Sequence, residues 1–232
     1  MLASIFFSGG NPLLAGVFVV LALVLSVSIT LLVSSMLGKT ILKGEASSFT
    51  LELPPYRKPQ FAKVVVRSIL DRTIFVLGRA ISVSVPAGAL IWLLQNITVA
   101  DGTLLSMFSN MLEPLGSVMG LSGAILAAFL LGIPANEIVI PILLMYYSQS
   151  GMLVESSGIV ELGEILKNNG WTIITALCAI VFSLNHFPCA TTLWTIAKET
   201  KSIKWTTVSF FLPTLVGIVL CVLINIISKL FL

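Results

Sequence analysis

The chain has 232 residues, 57% hydrophobic and 10% charged, with a mean hydropathy of +1.07 and a formal net charge of +3. Soluble domains carry about 25% charged residues, so this composition excludes a soluble globular protein and points to an all-α, polytopic membrane helical bundle. The small positive charge gives no argument for nucleic acid. Cys178, Cys189 and Cys221, each inside an apolar stretch with no close partner, exclude a disulfide framework.

A helical span takes about 20 residues, which leaves room for about five to seven helices. Residues 1–10 are short and lack a basic region, so no cleaved signal peptide is expected. The first span covers residues 12–37, uncharged throughout, and ends at Gly38-Lys39. A polar segment follows over 39–72, where the prolines of Glu52-Leu53-Pro54-Pro55-Tyr56-Arg57-Lys58-Pro59 forbid a continuous helix. Over 61–79, Lys63, Arg67 and Arg72 alternate with Val64, Val65, Ile69 and Phe75, the pattern of an amphipathic helix lying on a membrane surface. A second span covers 74–97, with Pro86 near its middle. After the turn at Ala100-Asp101-Gly102, residues 103–119 read as an interfacial helix marked by Glu113-Pro114. An apolar segment over 121–147 is broken at Pro134, and a polar loop spans 148–170. A second apolar segment over 171–197 is broken at Pro188, and the last span runs from 205 onward with Pro213 inside it. The chain thus divides into a first span (1–38), a basic segment (39–73) and a transmembrane domain (74–232).

Charge sorts the connections. Eight basic residues stand against three acidic ones between Gly38 and Ala80, so the positive-inside rule puts that segment, amphipathic helix included, in the cytoplasm. Lys198, Lys201 and Lys204 mark a second cytoplasmic loop, whereas Asp101 and Glu113, and Glu155, Glu161 and Glu164, mark external ones. An odd number of crossings must then separate residues 97 and 198. If both broken segments spanned fully, the number would be even. One is therefore expected to be re-entrant, and the segment at 121–147 is the better candidate; the other solution is that the 103–119 helix also crosses.

Two broken segments with polar side chains at the breaks are the sequence signature of a transporter's binding site. The first break reads Gly132-Ile133-Pro134-Ala135-Asn136-Glu137. Pro134 suits the start of a half-helix, which would put Asn136 and Glu137 in a first turn that favours a carboxylate. Glu137 is the only acidic residue over 121–147; it either handles a cation or merely caps the half-helix, a task Asn or Ser could do. The second break reads Asn185-His186-Phe187-Pro188-Cys189 and holds the only histidine of the chain. Imidazole and thiolate suit iron(II), zinc or copper, and a half-helix N-terminus favours the thiolate form of Cys189. The plainer reading makes Cys189 a small hydrophobe, the role assigned to Cys178 and Cys221. Together Glu137, Asn136, His186 and Cys189 would offer mixed oxygen, nitrogen and sulfur ligands, with Thr191 and Thr192 able to add oxygen. Such a set is poor for magnesium or calcium. Gly38-Lys39-Thr40 lacks the glycine that a phosphate-binding loop needs where Val33 stands. No catalytic motif is present, and no enzymatic activity is expected.

The segment 52–59 resembles the C-terminal half of bacterial ferrous iron transport protein B. So do Gly132-Ile133-Pro134-Ala135-Asn136-Glu137-Ile138-Val139, His186-Phe187-Pro188-Cys189-Ala190-Thr191-Thr192-Leu193, and Lys198-Glu199-Thr200 followed by Trp205. The resemblance covers nearly the whole chain from the first span onward. It implies a multi-pass inner-membrane importer of iron(II), with a gate-type transmembrane domain related to nucleoside-recognition domains. In that family a GTPase domain and a first gate precede the part seen here. The resemblance therefore implies a GTPase-bearing or first-gate partner, or assembly with further copies, besides membrane lipid. Iron(II) would be transported substrate, and no resident cofactor is expected. Two rival readings stay open: a gate-type protein for a nucleoside-like solute, and a non-transporting scaffold subunit. The basic segment likewise reads either as a lipid-attracted surface helix or as a docking face for a soluble GTPase.

Overall fold

The computed structural model describes residues 1–7, 11–40, 61–99, 102–150 and 158–231. The segment 52–59, with Lys43, Asp101 and Glu155, lies outside them. Eleven α-helices form among the described residues: α1 (Leu2–Phe6), α2 (Pro12–Thr40), α3 (Phe61–Ser68), α4 (Phe75–Asn96), α5 (Leu104–Met119), α6 (Gly123–Leu131), α7 (Val139–Ser148), α8 (Ile159–Asn168), α9 (Ile173–Asn185), α10 (Ala190–Thr200) and α11 (Ile203–Phe231). A short hairpin, β1 (Thr98–Val99) and β2 (Gly102–Thr103), links α4 to α5. The all-α class read from composition holds.

By length and apolarity, four described stretches can cross a membrane: Pro12–Lys39, Val76–Asn96, Ile173–Thr200 and Ile203–Leu230. The third includes the break between α9 and α10. In α2 most large apolar side chains are exposed, among them Leu13, Val20, Leu21, Leu31 and Leu32. Such a surface suits hydrocarbon rather than water. Two of its hydroxyls are satisfied within the helix, Ser28 Oγ donating to the Val24 carbonyl at 2.8 Å and Thr30 Oγ1 to that of Ser26 at 2.9 Å.

Residues 121–147, expected to be re-entrant, hold no single helix long enough to span by itself. Helices α5, α6 and α7 have 16, 9 and 10 residues, each short of the roughly 20 a span needs. The α5–α6 pair is folded by 109°. A bent pair of this kind is a broken span or a re-entrant loop; if re-entrant, the α9–α10 stretch is the crossing between α4 and Lys198, the odd count that charge requires. The two basic regions also meet: Arg79 Nη1 donates to Thr195 Oγ1 at 2.9 Å, joining the start of α4 to α10 a few residues before Lys198.

The core is built by α6, α7 and α9. Helix α6 is apolar all round, and residues 123–129 are buried. It starts at Ser122, whose Oγ accepts from the Ile125 amide, while Glu113 Oε2 of α5 accepts from the Gly123 amide at 2.6 Å. Small residues permit this tight fold. A Cβ at Gly116 would lie 2.8 Å from the Leu121 carbonyl oxygen, and Gly120 takes a left-handed φ of +71° at the end of α5. Asn225 of α11 completes the corner, its Nδ2 donating to the carbonyls of Ser117 (3.1 Å) and Val118 (2.9 Å). Replacing Asn225 by leucine withdraws these donors from helix-end carbonyls that have few others. The expected loss is about 1–3 kcal/mol, read as a lower thermal midpoint in detergent; an unchanged midpoint would show that the corner is held otherwise.

Four sequence expectations need correction or refinement. The stretch 148–170 is not all loop: Ile159, Leu162, Ile165 and Leu166 fall at helical spacing and form α8, burying Leu162 and Leu166. The N-terminal residues form α1, which packs on α8 through Ile5 against Gly163. The amphipathic helix and second span are one helical run from Phe61 to Asn96, with a π-helical stretch at Ile69–Ile74 between α3 and α4. Finally, Pro134 does not open the half-helix. Ala135 is extended (φ −153°, ψ 115°), Asn136–Ile138 form a 3-10 turn, and α7 starts at Val139. The proline of its first turn is Pro141, where a missing N–H costs nothing. Cys178 and Cys221 pack as assigned, fully buried and free, Cys221 Sγ lying 3.3 Å from the Cys178 carbonyl.

Candidate metal-handling site

The two breaks meet. The Ala190 amide, first of α10, donates to the Ile133 carbonyl at 2.8 Å. A proline break frees backbone groups that hydrocarbon will not solvate, and here one break supplies the donor and the other the acceptor. Helix α11 closes over the same place. A Cβ at Gly217 would lie 2.9 Å from the Asn185 carbonyl oxygen, so only glycine lets α11 approach the end of α9 this closely.

Beside this junction lies a cavity of about 280 Å³ lined by Asn136, Glu137, Ser183 and His186 together with apolar side chains and Trp171. Asn136 and Glu137 enter from the 3-10 turn and are exposed. His186 follows the last residue of α9, with its ring centroid 5.3 Å from that of Phe129, 5.7 Å from Phe182 and 4.9 Å from Phe187. Its Nδ1 lies 2.8 Å from the Ser183 carbonyl. A carbonyl only accepts, so Nδ1 carries the proton and Nε2 keeps its lone pair. That Nε2 is buried and has no hydrogen-bond partner among the described residues. An imidazole oriented through one nitrogen, with the other unpaired, has the tautomer a metal ligand needs, although Nε2 is closed off in this conformation.

Cys189 caps the start of α10, half-buried, and does not line this cavity. Its Sγ lies 3.2 Å from Thr191 Oγ1 and 3.1 Å from Thr192 Oγ1. The structure therefore gathers three of the four expected ligands, Asn136, Glu137 and His186, around one cavity. It ties the fourth to the same junction by backbone alone. Among the described residues no three His, Cys, Asp or Glu side chains stand close enough together to hold an ion. Thr191 and Thr192 engage the thiol. Two contributors escaped the sequence reading: Ser183, whose carbonyl fixes the imidazole and whose i−3 spacing was the available signal, and Trp171 in the cavity wall.

Two family models match the chain in succession: "Ferrous iron transport protein B C terminus" over residues 19–72 and Gate, "Nucleoside recognition", over residues 77–203. Relatives of the chain carry the name Fe(2+) transporter FeoB, three of which illustrate the range. The Staphylococcus aureus (strain MSSA476) protein is 31% identical over 92% of this chain and 32% of its own length. That of Methanocaldococcus jannaschii is 25% identical over 93% and 33% respectively, and that of Synechocystis sp. 29% identical over 71% and 26%. The chain thus spans about a third of the length of the curated relatives it matches. No solved structure matches. With the Gate match covering more than half its length and the other match directly before it, this multi-pass chain belongs to the Gate family, in the form found in the C-terminal part of ferrous iron transport protein B.

Proposed function

We propose that the chain is the permease half of a ferrous iron transporter and passes iron(II), its cargo, through the junction of the two breaks. The observation that carries this reading is the buried, unpaired Nε2 of His186, a residue that lines one cavity with Glu137 and Asn136. Glu137 supplies a charged oxygen, Asn136 a neutral one and His186 a nitrogen. Cys189 receives the ion as a soft ligand on the α10 side of the junction, once its thiol leaves Thr191 and Thr192. Mixed ligands of this kind favour a borderline transition metal over magnesium or calcium. Two or three ligands at a time hold an ion weakly enough to release it. The names of the relatives agree with this cargo.

The protein works, on this reading, in the inner membrane of a bacterial cell, with lipid around α2. The relatives are about three times longer. On the same reading it works with a GTPase-bearing or first-gate partner subunit, or with further copies of this chain. No reaction is catalysed and no cofactor stays bound.

Titration of the detergent-solubilised chain with iron(II) under anaerobic, reducing conditions tests the reading. Binding at a hundredfold excess over the dissociation constant stabilises a fold by about 2.7 kcal/mol, so a clear rise in the thermal midpoint is expected. Magnesium and nucleosides should give none, and Glu137→Gln should reduce the iron(II) effect. A chain that responds to a nucleoside and ignores iron(II) would end the proposal.

A further inference from the structure

Because His186 Nε2 is closed off, a cation reaches it only when the surroundings of the ring rearrange. Most of the described cavity wall belongs to α6, α7 and α9, whose side chains also make the buried core. Close packing makes a shift there costly. One lining residue comes from elsewhere: Leu2, of α1.

Helix α1 is built differently from the rest of the wall. It has five residues, and isolated helices below about 12–15 residues are marginal, so its contacts alone keep it in place. Those contacts are few and are made by small areas of side chain. Ala3 is the one buried residue of the helix. A Cβ on Gly163 of α8 would lie 3.9 Å from Ile5 Cβ, and the Phe6 ring stacks on Trp171, itself a wall residue, with centroids 6.2 Å apart. A segment held by so little burial opens at small free-energy cost. Its position matters as well. Helix α1 precedes the end of α2 opposite Lys39 and packs on α8, which bears Glu161 and Glu164, so charge places it on the external side.

We infer that α1 is a lid on the external face of the ion cavity: seated, it closes the cavity; lifted, it opens a way from outside toward His186. What passes rests on the transport reading; the movement itself does not.

The contact with Gly163 supplies a lock. A disulfide needs Cβ atoms about 3.5–4.5 Å apart, and 3.9 Å falls within that range, so Ile5→Cys with Gly163→Cys should join α1 to α8 on oxidation. The reporter is His186, the only histidine of the chain. Diethyl pyrocarbonate acylates a neutral imidazole at its free nitrogen, and the product is followed by its absorbance. A reagent that acts only on an opened state tracks that state's population, so acylation should be roughly tenfold slower in the oxidised double-cysteine chain than after its reduction. Ile5→Ala, which loosens the seat, should speed acylation several-fold over wild type while the thermal midpoint stays close to it. Lock and loosening thus act in opposite directions, which misfolding does not produce. Equal rates in locked and reduced chains, or an Ile5→Ala rate no higher than that of wild type, would overturn the lid. Iron(II) uptake into proteoliposomes should fall with the lock and return on reduction; measurable uptake that ignores the lock would overturn the lid too. Acylation that obeys the lock, with no uptake in either state, would uphold the lid and remove the transport reading.

Discussion

Replacing His186 by asparagine is expected to abolish iron(II) uptake into proteoliposomes while leaving the fold intact. The asparagine Nδ2 sits where the imidazole Nδ1 sits, so the bond to the Ser183 carbonyl survives. Nothing then remains at the Nε2 position. Removing a partner that merely orients a metal ligand costs about 10- to 100-fold in affinity, so losing the ligand itself should cost at least that. The complementary variant, His186→Gln, puts an amide near the Nε2 position and gives up the Ser183 contact. It should keep part of the metal response at reduced stability. If the imidazole served only to tie off the end of α9, the order would reverse: asparagine silent in every assay, glutamine damaging. Equal uptake by wild type and His186→Asn would remove histidine from the pathway.

The second large effect is structural. Gly123 opens α6 directly against the backbone of α5. A Cβ there would press into the Ser109 carbonyl oxygen and stand 2.7 Å from the Glu113 amide nitrogen. Neither can swing aside as a side chain would, because both belong to a helix. Gly123→Ala should therefore cost more than the 1–3 kcal/mol typical of an added methylene in a well-packed interior. It should also pull the Gly123 amide off Glu113 Oε2. The expected result is a sharp drop in the yield of monodisperse protein and in its thermal midpoint. Glu113→Gln, which keeps the acceptor and removes the charge, should be mild by comparison. A Gly123→Ala protein as stable as the wild type would mean that α5 and α6 are not folded on each other at this angle.

The sequence made the two breaks visible because proline and ionisable residues are conspicuous against an apolar background. That they join, through the Ala190 amide and the Ile133 carbonyl, carries no residue-type signal: any side chain but proline could stand at 190, and any at 133. The onset of α7 was misplaced because Pro134 and Pro141 are both compatible with a helix start, and only the extended conformation of Ala135 decides between them. Helix α8 was hidden by its polar surroundings, although Leu162 and Leu166 repeat at the spacing of a buried stripe. The place of α1 was illegible for a different reason. Leu2 and Phe6 are ordinary residues far from Trp171 in the chain, and only the tertiary fold makes them neighbours.

Helix α10 begins at the junction, where its first amide is held by Ile133, and reaches the Arg79 guanidinium through Thr195 in its second turn. Eleven residues of regular helix behave as a stiff rod on this scale. A tilt large enough to part Ala190 from Ile133 must therefore also drag Thr195 across Arg79. The end at the junction and the lysine-bearing end of the rod are geared together, so whatever grips the positively charged surface has leverage on the meeting point of the two breaks.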